Sequence, residues 1–239
     1  MKGIRLASVD TLRGIVMILM ALDHVRDYFR VPGLNPANLA QTTVPLFFTR
    51  WITHLCAPTF FLLTGTAACL ALGRRTIPQL SWFLLTRGLW LIVLELTVIR
   101  CLGFQFNFDY QVTMLVVIWA LGWAMVALAA LCWLPLPVIF AVGVAMIAGH
   151  NLLDGVRSAH PVWVMLHAQG FVVNRPGFVV FNAYPLVPWI GVTAVGFVLG
   201  RVYSWDPERR TAFLLRCGLG LTAAFLVLRA LNIYGDPVP

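Results

Sequence analysis

Asp10, Arg13, Asp23, His24, Arg26 and Asp27 interrupt a first segment that is otherwise almost wholly apolar. Ionisable groups inside a membrane-length apolar run are costly, so they mark where chemistry is to be sought first. On a helix turning about 100° per residue, Arg13 and His24, eleven positions apart, share a face. Asp10 and Asp27 fall on the same stripe, with Met17 and Met20 between them. The rise from Arg13 to His24 is about 16 Å, so the two groups mark opposite ends of one path. An imidazole beside carboxylates can serve as a general base, its charge supported by Asp23 or Asp27, or as a transient carrier of an acyl group. A guanidinium at the other end suits a phosphate. Asp23 lies about 100° off the stripe, where pairing with Arg26 and holding an imidazole from elsewhere both remain open. Snorkelling at an interface accounts equally well for Arg26, Arg30 and Asp27. It accounts less well for Asp23 and His24, which lie deeper in the run.

Further polar groups punctuate the later segments. Arg50 and His54 are one helical turn apart and enter from the same side as His24. Pro58 loosens that second helix and Gly65 permits close packing. Arg87, Glu95 and Arg100 are poorly spaced for pairing within their own helix, so Glu95 is expected to find a structural partner on another. His150, Asn151 and Asp154 end a fifth apolar run, with His150 and Asp154 at i, i+4 spacing; a polar mouth and a capped helix end are equally consistent. His160 and His167 fall in a long loop and carry little weight. A cluster of His24, His54, Asp23 and His150 around a metal is conceivable, but no short-range ligand spacing supports it, and no metal site is assigned.

The elements that must position these groups follow from composition. Of 239 residues, 60% are hydrophobic and 11% charged, with a mean hydropathy of +0.86. Soluble domains run at about 25% charged, so a water-soluble globule is excluded. Seven runs near 11–30, 51–72, 81–103, 112–133, 136–154, 183–203 and 211–232 are long enough to cross a bilayer, which takes about 20 residues each. They are continuous rather than alternating, which predicts an all-α polytopic transmembrane bundle in one integral-membrane domain. The connections at 31–50 and 155–182 are long, and either could cover a site. Lys2, Arg5, Arg74, Arg75, Arg201, Arg209 and Arg210 flank one side, and Arg30, Arg50, Arg100, Arg157 and Arg175 the other; this predicts a cytoplasmic N-terminus. The net charge of +8 is scattered at segment ends without a basic stripe, which argues against nucleic acid. Five cysteines in or beside apolar segments read as small buried hydrophobes, not a disulfide framework.

The stretch from Ser8 through Asp10 and Arg13 to Met20, followed by Pro58-Thr-Phe-Phe-Leu-Leu-Thr-Gly65, resembles the heparan-α-glucosaminide N-acetyltransferase catalytic-domain family. The Arg13 to His24 spacing also resembles the Arg/His motif of the wider transmembrane acyltransferase group. Asp23-His24-Val-Arg26-Asp27-Tyr-Phe, Arg50 through His54 to Pro58, and Leu231-Asn232-Ile-Tyr234-Gly-Asp236-Pro extend the similarity over essentially the whole chain. The resemblance implies transfer of an acyl group, typically acetyl from acetyl-CoA, to an amine or hydroxyl acceptor such as a glycan, across a bacterial inner membrane. It carries a catalytic role to His24 through the Arg/His motif, with Asp23 and Asp27 beside it; Arg13, Asp10, Arg50 and His54 are the binding candidates. His54 takes nothing from that motif. Members of the family usually continue through further helices, so the end at Gly235-Asp236-Pro-Val-Pro reads as a loop and the chain as a fragment. The competing class is a transporter or channel that relays protons or binds a solute at the His24, Asp23 and Asp27 cluster.

Overall fold

A computed structural model describes residues 7–29, 38, 42–103, 106, 108–156, 158–232 and 234. The sequence-based readings of Lys2, Arg5, Arg30, Arg157 and Asp236 fall outside the described residues. Each of the seven apolar runs contains a helix. α1 is Ala7–Phe29. α2 (Val44–Thr53) and α3 (Cys56–Ala71) form one rod broken at His54 and Leu55, just ahead of Pro58. α4 (Ile77–Leu94) continues through a wider π-type winding, Glu95–Gly103. α5 is Val117–Leu131, and α6 (Leu136–Gly149) ends in a tight 3-10 turn, His150–Leu153. α8 (Leu186–Leu199) ends similarly, and α9 is Pro207–Leu231.

Five of these rods are long and apolar enough to cross a membrane: 44–71, 77–103, 136–153, 186–204 and 207–231. α1 has the length, but it carries the five charged residues of the opening segment. α5 has the apolarity, but its 15 residues rise only about 22 Å. The expected helix over 112–133 is therefore shorter than predicted, because Val112–Leu115 is a strand, β1.

The long connection over 155–182 is also structured. It holds the short helix α7 (Pro161–Leu166) and the strands β2 (Gly170–Arg175) and β3 (Phe178–Asn182). β3 lies between the other two, antiparallel to β2 and parallel to β1, with Val112 opposite Val179. At the β2–β3 turn Gly177 has φ 76°, a conformation that glycine adopts without steric penalty. The helical bundle thus carries a small sheet at one end.

Helices meet through small residues, as they must where lipid removes most of the hydrophobic drive between them. A Cβ at Gly88 in α4 would stand 2.6 Å from the Gly122 carbonyl of α5. α3 and α8 approach as closely, at Gly65 against Thr193 and at Gly196 against Leu62. Two buried clusters result. One joins Ala68, Leu80, Leu84, Met125, Leu128, Ile139 and Phe197. The other joins Phe61, Leu115, Trp119, Ala124 and Leu186 directly beneath the sheet. α1 packs on α2 and α3, burying Val9, Val16 and Arg26. α9 buries none of its residues.

Candidate functional site

The antiparallel course of the rods gathers most of the polar candidates at one end of the bundle. Ser81 near the start of α4 reaches Ala129 near the end of α5, whereas Glu95 at the far end of α4 reaches Trp119 at the start of α5. That second level also holds the C-terminal turns of α1, where Tyr28 donates to the Gly103 carbonyl, the end of α2 at Arg50 and Thr53, the sheet and the entry to α8.

Arg26 is the centre of the cluster. It is a buried cation, 9% exposed, brought inward because α1 lies against the α2–α3 rod. Its guanidinium donates to Asp23, to Asp27 at 3.2 Å and to the Thr53 hydroxyl at 3.2 Å. Asp23 also accepts from Arg50 of α2 at 3.2 Å, so one carboxylate ties two arginines on two helices. The Arg26 Nε–H is buried with no acceptor among the described residues. A donor left so costs about 1–3 kcal/mol.

His24 sits beside this clamp on α1. Its Nδ1 lies 2.7 Å from the Met20 carbonyl, which can only accept, so Nδ1 donates there. His54 repeats the arrangement, with Nδ1 2.7 Å from the Arg50 carbonyl and its ring exposed. Asp23 and Asp27 both face Arg26, while the His24 ring is bonded to the Met20 carbonyl of its own helix. Asp10 and Arg13 form a half-exposed pair at 3.7 Å toward the opposite end of α1.

Tyr184, at the entry to α8, joins the same region. It packs on Trp189, which stacks on Phe61 at 4.8 Å. Partial burial pushes its phenol above the ordinary tyrosine value, and the nearby Arg50 charge pulls it back. Glu95, 2% exposed, accepts from the Trp119 amide at 3.2 Å and caps the first turn of α5, so its partner on another helix is backbone rather than a cation. Arg100 braces the sheet, donating to Thr113 at 3.0 Å and to the Val112 carbonyl at 3.1 Å under the Tyr110 ring.

A second polar cluster lies at this end. His150 and Asp154 do not pair with each other, as their spacing allowed; both turn to His167. Asp154 Oδ1 stands 3.1 Å from His167 Nε2, and His150 Nε2 is 3.0 Å from the His167 carbonyl. His167, given little weight in the sequence, is only 6% exposed. The sequence held no signal for it beyond its residue type. Thr53 and Tyr184 were equally hidden: Thr53 meets Arg26 across two helices, and Tyr184 comes within the influence of the Arg50 charge from far along the chain.

At the opposite end of the bundle a cavity of about 580 Å³ is lined by Arg74, Arg75, Gln79, Trp82, Phe83, Thr86 and Arg87. Arg75 and Arg87 both approach the Phe83 ring, at 3.9 and 5.6 Å.

The family described as "Heparan-alpha-glucosaminide N-acetyltransferase, catalytic" matches residues 5–234, nearly the whole length and all of the clusters above. No curated protein and no solved structure matches the chain.

Proposed function

The chain belongs to the heparan-alpha-glucosaminide N-acetyltransferase catalytic family, and from that premise we propose that it is an integral-membrane acyltransferase which moves acetyl from acetyl-CoA to an amine or hydroxyl of a glycan. The reading places it in a bacterial inner membrane, with its N-terminus cytoplasmic and the Arg26 cluster at the outer end. The observation that carries it is the seating of His24: a ring held through Nδ1 on the Met20 carbonyl, one residue from a carboxylate that binds two arginines.

In this reading His24 Nε2 accepts the proton of the acceptor amine or hydroxyl. The acceptor atom then bonds to the acyl carbon, the thioester C–S bond breaks, and the proton passes to the departing thiolate. Arg50, partly exposed beside Asp23, offers guanidinium donors to the oxygen that becomes negative on the way, which is where fixed donors lower a barrier most. Asp23 and Asp27 act as positioning residues through the arginines. Tyr184 supplies a neutral hydroxyl, and Arg50 and His54 line the approach.

The donor's phosphates require cations at the cytoplasmic end. Arg13 is one candidate, with Asp10 beside it. Arg74, Arg75 and Arg87, around a cavity walled by Trp82 and Phe83, are better placed to take phosphate and a stacked purine together.

Purified protein in lipid nanodiscs, given labelled acetyl-CoA and a panel of amino sugars and oligosaccharides, tests the proposal. Transfer to at least one acceptor is expected, abolished by His24→Ala while the protein still inserts. Arg75→Ala combined with Arg87→Ala should raise the KM for acetyl-CoA and leave that for the acceptor unchanged. Wild-type rates from His24→Ala would refute the role of the histidine. Solute uptake that needs no acyl donor would favour the transporter class instead.

A further inference from the structure

We propose that His150, Asp154 and His167 form a binding site for a divalent transition-metal cation of the zinc class. One ligand atom from each residue lies within 4.8 Å of those of the other two. His167 Nε2 and Asp154 Oδ1 are 3.1 Å apart. Two ligands on one tetrahedral zinc with bonds of about 2.0–2.1 Å are separated by about 3.3 Å, so these atoms already stand nearly at ligand spacing. Two imidazoles and one carboxylate are also a donor set suited to zinc and its neighbours rather than to calcium or magnesium.

The groups around the three residues hold them as an outer shell holds metal ligands. Asn151 Nδ2 donates to Asp154 Oδ2 at 3.0 Å, which engages one carboxylate oxygen and leaves Oδ1 directed at His167. His150 is seated through its Nε2 on the His167 carbonyl, and its ring lies 4.3 Å from the His167 ring. Trp163 closes the other side at 4.7 Å from the His167 ring. His167 is buried and Asp154 half-exposed, so the cluster is walled toward the protein and open on one side. That side is a cavity of about 660 Å³, with Ser158, Gln169 and Pro185 on its rim. Three protein ligands and an open face leave a coordination position for water or an anionic group.

The site joins parts of the chain that sequence separation does not. His150 and Asp154 end α6, whereas His167 follows α7, and a cation held by all three clamps the 155–167 connection onto the bundle. The inference is independent of the acyltransferase reading, since no residue is shared with the His24 and Arg26 cluster.

The test uses the full chain with affinity tags removed, stripped with chelator and reconstituted in phosphatidylcholine nanodiscs. Zn²⁺ is titrated and metal per chain is measured after desalting; Co²⁺ serves as the spectroscopic probe. One equivalent is expected, with ligand-field bands of a nitrogen- and oxygen-bound cobalt and no displacement by excess Mg²⁺. Asp154→Asn and His150→Ala should each weaken binding at least tenfold. Asn151→Ala should weaken it by about tenfold, as loss of an outer-shell partner does. Asp154 is half-exposed, so its variant tests the site even if a variant of buried His167 fails to fold. His160→Ala, in the same connection but outside the cluster, should bind as the wild type does. No stoichiometric binding, or binding equally strong in Asp154→Asn and His150→Ala, would reduce the cluster to an ion pair and overturn the proposal.

Discussion

Replacing Asp23 by Asn removes one negative charge from two arginines whose surroundings differ. The Arg26 side chain is 6% exposed, and Arg50 is 38% exposed. Breaking a buried pair by removing one partner costs about 3–5 kcal/mol, because the remaining charge is left uncompensated. Asp27, 3.2 Å from Arg26 but 52% exposed, keeps part of that compensation, so about 2–3 kcal/mol is expected from the Arg26 side. The Arg50 contact is solvated and adds about 0.2–1 kcal/mol. Asp23→Asn should therefore destabilise the protein by about 3 kcal/mol, and Asp27→Asn by less than about 1 kcal/mol. Unfolding in mixed detergent micelles measures both, and double-mutant cycles separate the partners. Asp23→Asn with Arg26→Gln should show a coupling of about 2 kcal/mol, and Asp23→Asn with Arg50→Gln about 0.5 kcal/mol. Additivity of Asp23 and Arg26 within about 0.3–0.5 kcal/mol, or an equal cost at Asp27, would refute the claim that burial of Arg26 organises the cluster.

Three further outcomes follow from the same geometry. Glu95→Ala should destabilise by about 1–2 kcal/mol, because the first amides of α5 lose their acceptor, whereas Glu95→Gln keeps a carbonyl there and should cost less than half as much in the same unfolding assay. Gly88→Ala forces a methyl against the Gly122 carbonyl and Val126 and should cost about 1–3 kcal/mol, while Gly14→Ala, with nothing within 4 Å, should be neutral or stabilising. Arg100→Met removes the hydrogen bonds to Thr113 and the Val112 carbonyl that tie Glu95–Gly103 to β1, so amide exchange at Val112 and Thr113 should quicken markedly; Arg100→Lys should recover little of the protection, because an ammonium cannot reproduce the fork.

The helical rods were legible because each run is apolar for long enough to demand burial in lipid, and the Asp23–Arg26 contact because residues three apart share a helix surface. β1 was not legible. Val112–Leu115 is apolar and runs directly into α5, so no local signal separates strand from helix; pairing with Val179–Asn182, far along the chain, decides it. The hairpin did leave a trace in Arg175-Pro176-Gly177-Phe178, where proline fixes the second position of a turn and glycine takes the positive φ of the third. Arg50 was readable as a candidate from its place at a helix mouth, but its carboxylate partner on α1 was not, and neither was Thr53. A candidate's residue type is local, whereas its partner is set by how two helices cross.

The crossing also alters what α1 is. A 23-residue helix with five charged side chains would be expensive as a lone transmembrane rod, and α1 buries only three residues against its neighbours. The expense falls because the charges are segregated. Asp10 and Arg13 pair near one end, and Asp23, Arg26 and Asp27 neutralise one another near the other, with Arg50 drawn in from α2. Between them the chain from Gly14 to Leu22 carries no charge. His24 is placed at the edge of the second group, with its ring bonded to the helix's own backbone, a contact that changes in the carboxylates leave in place. Asp23→Asn and Asp27→Asn should therefore leave the ring bonded to Met20 yet lower the activity per folded molecule of any His24-dependent reaction, Asp23→Asn more strongly because it releases both Arg26 and Arg50. Activity lost in both only as folded protein is lost would make the arginine clamp a scaffold and nothing more.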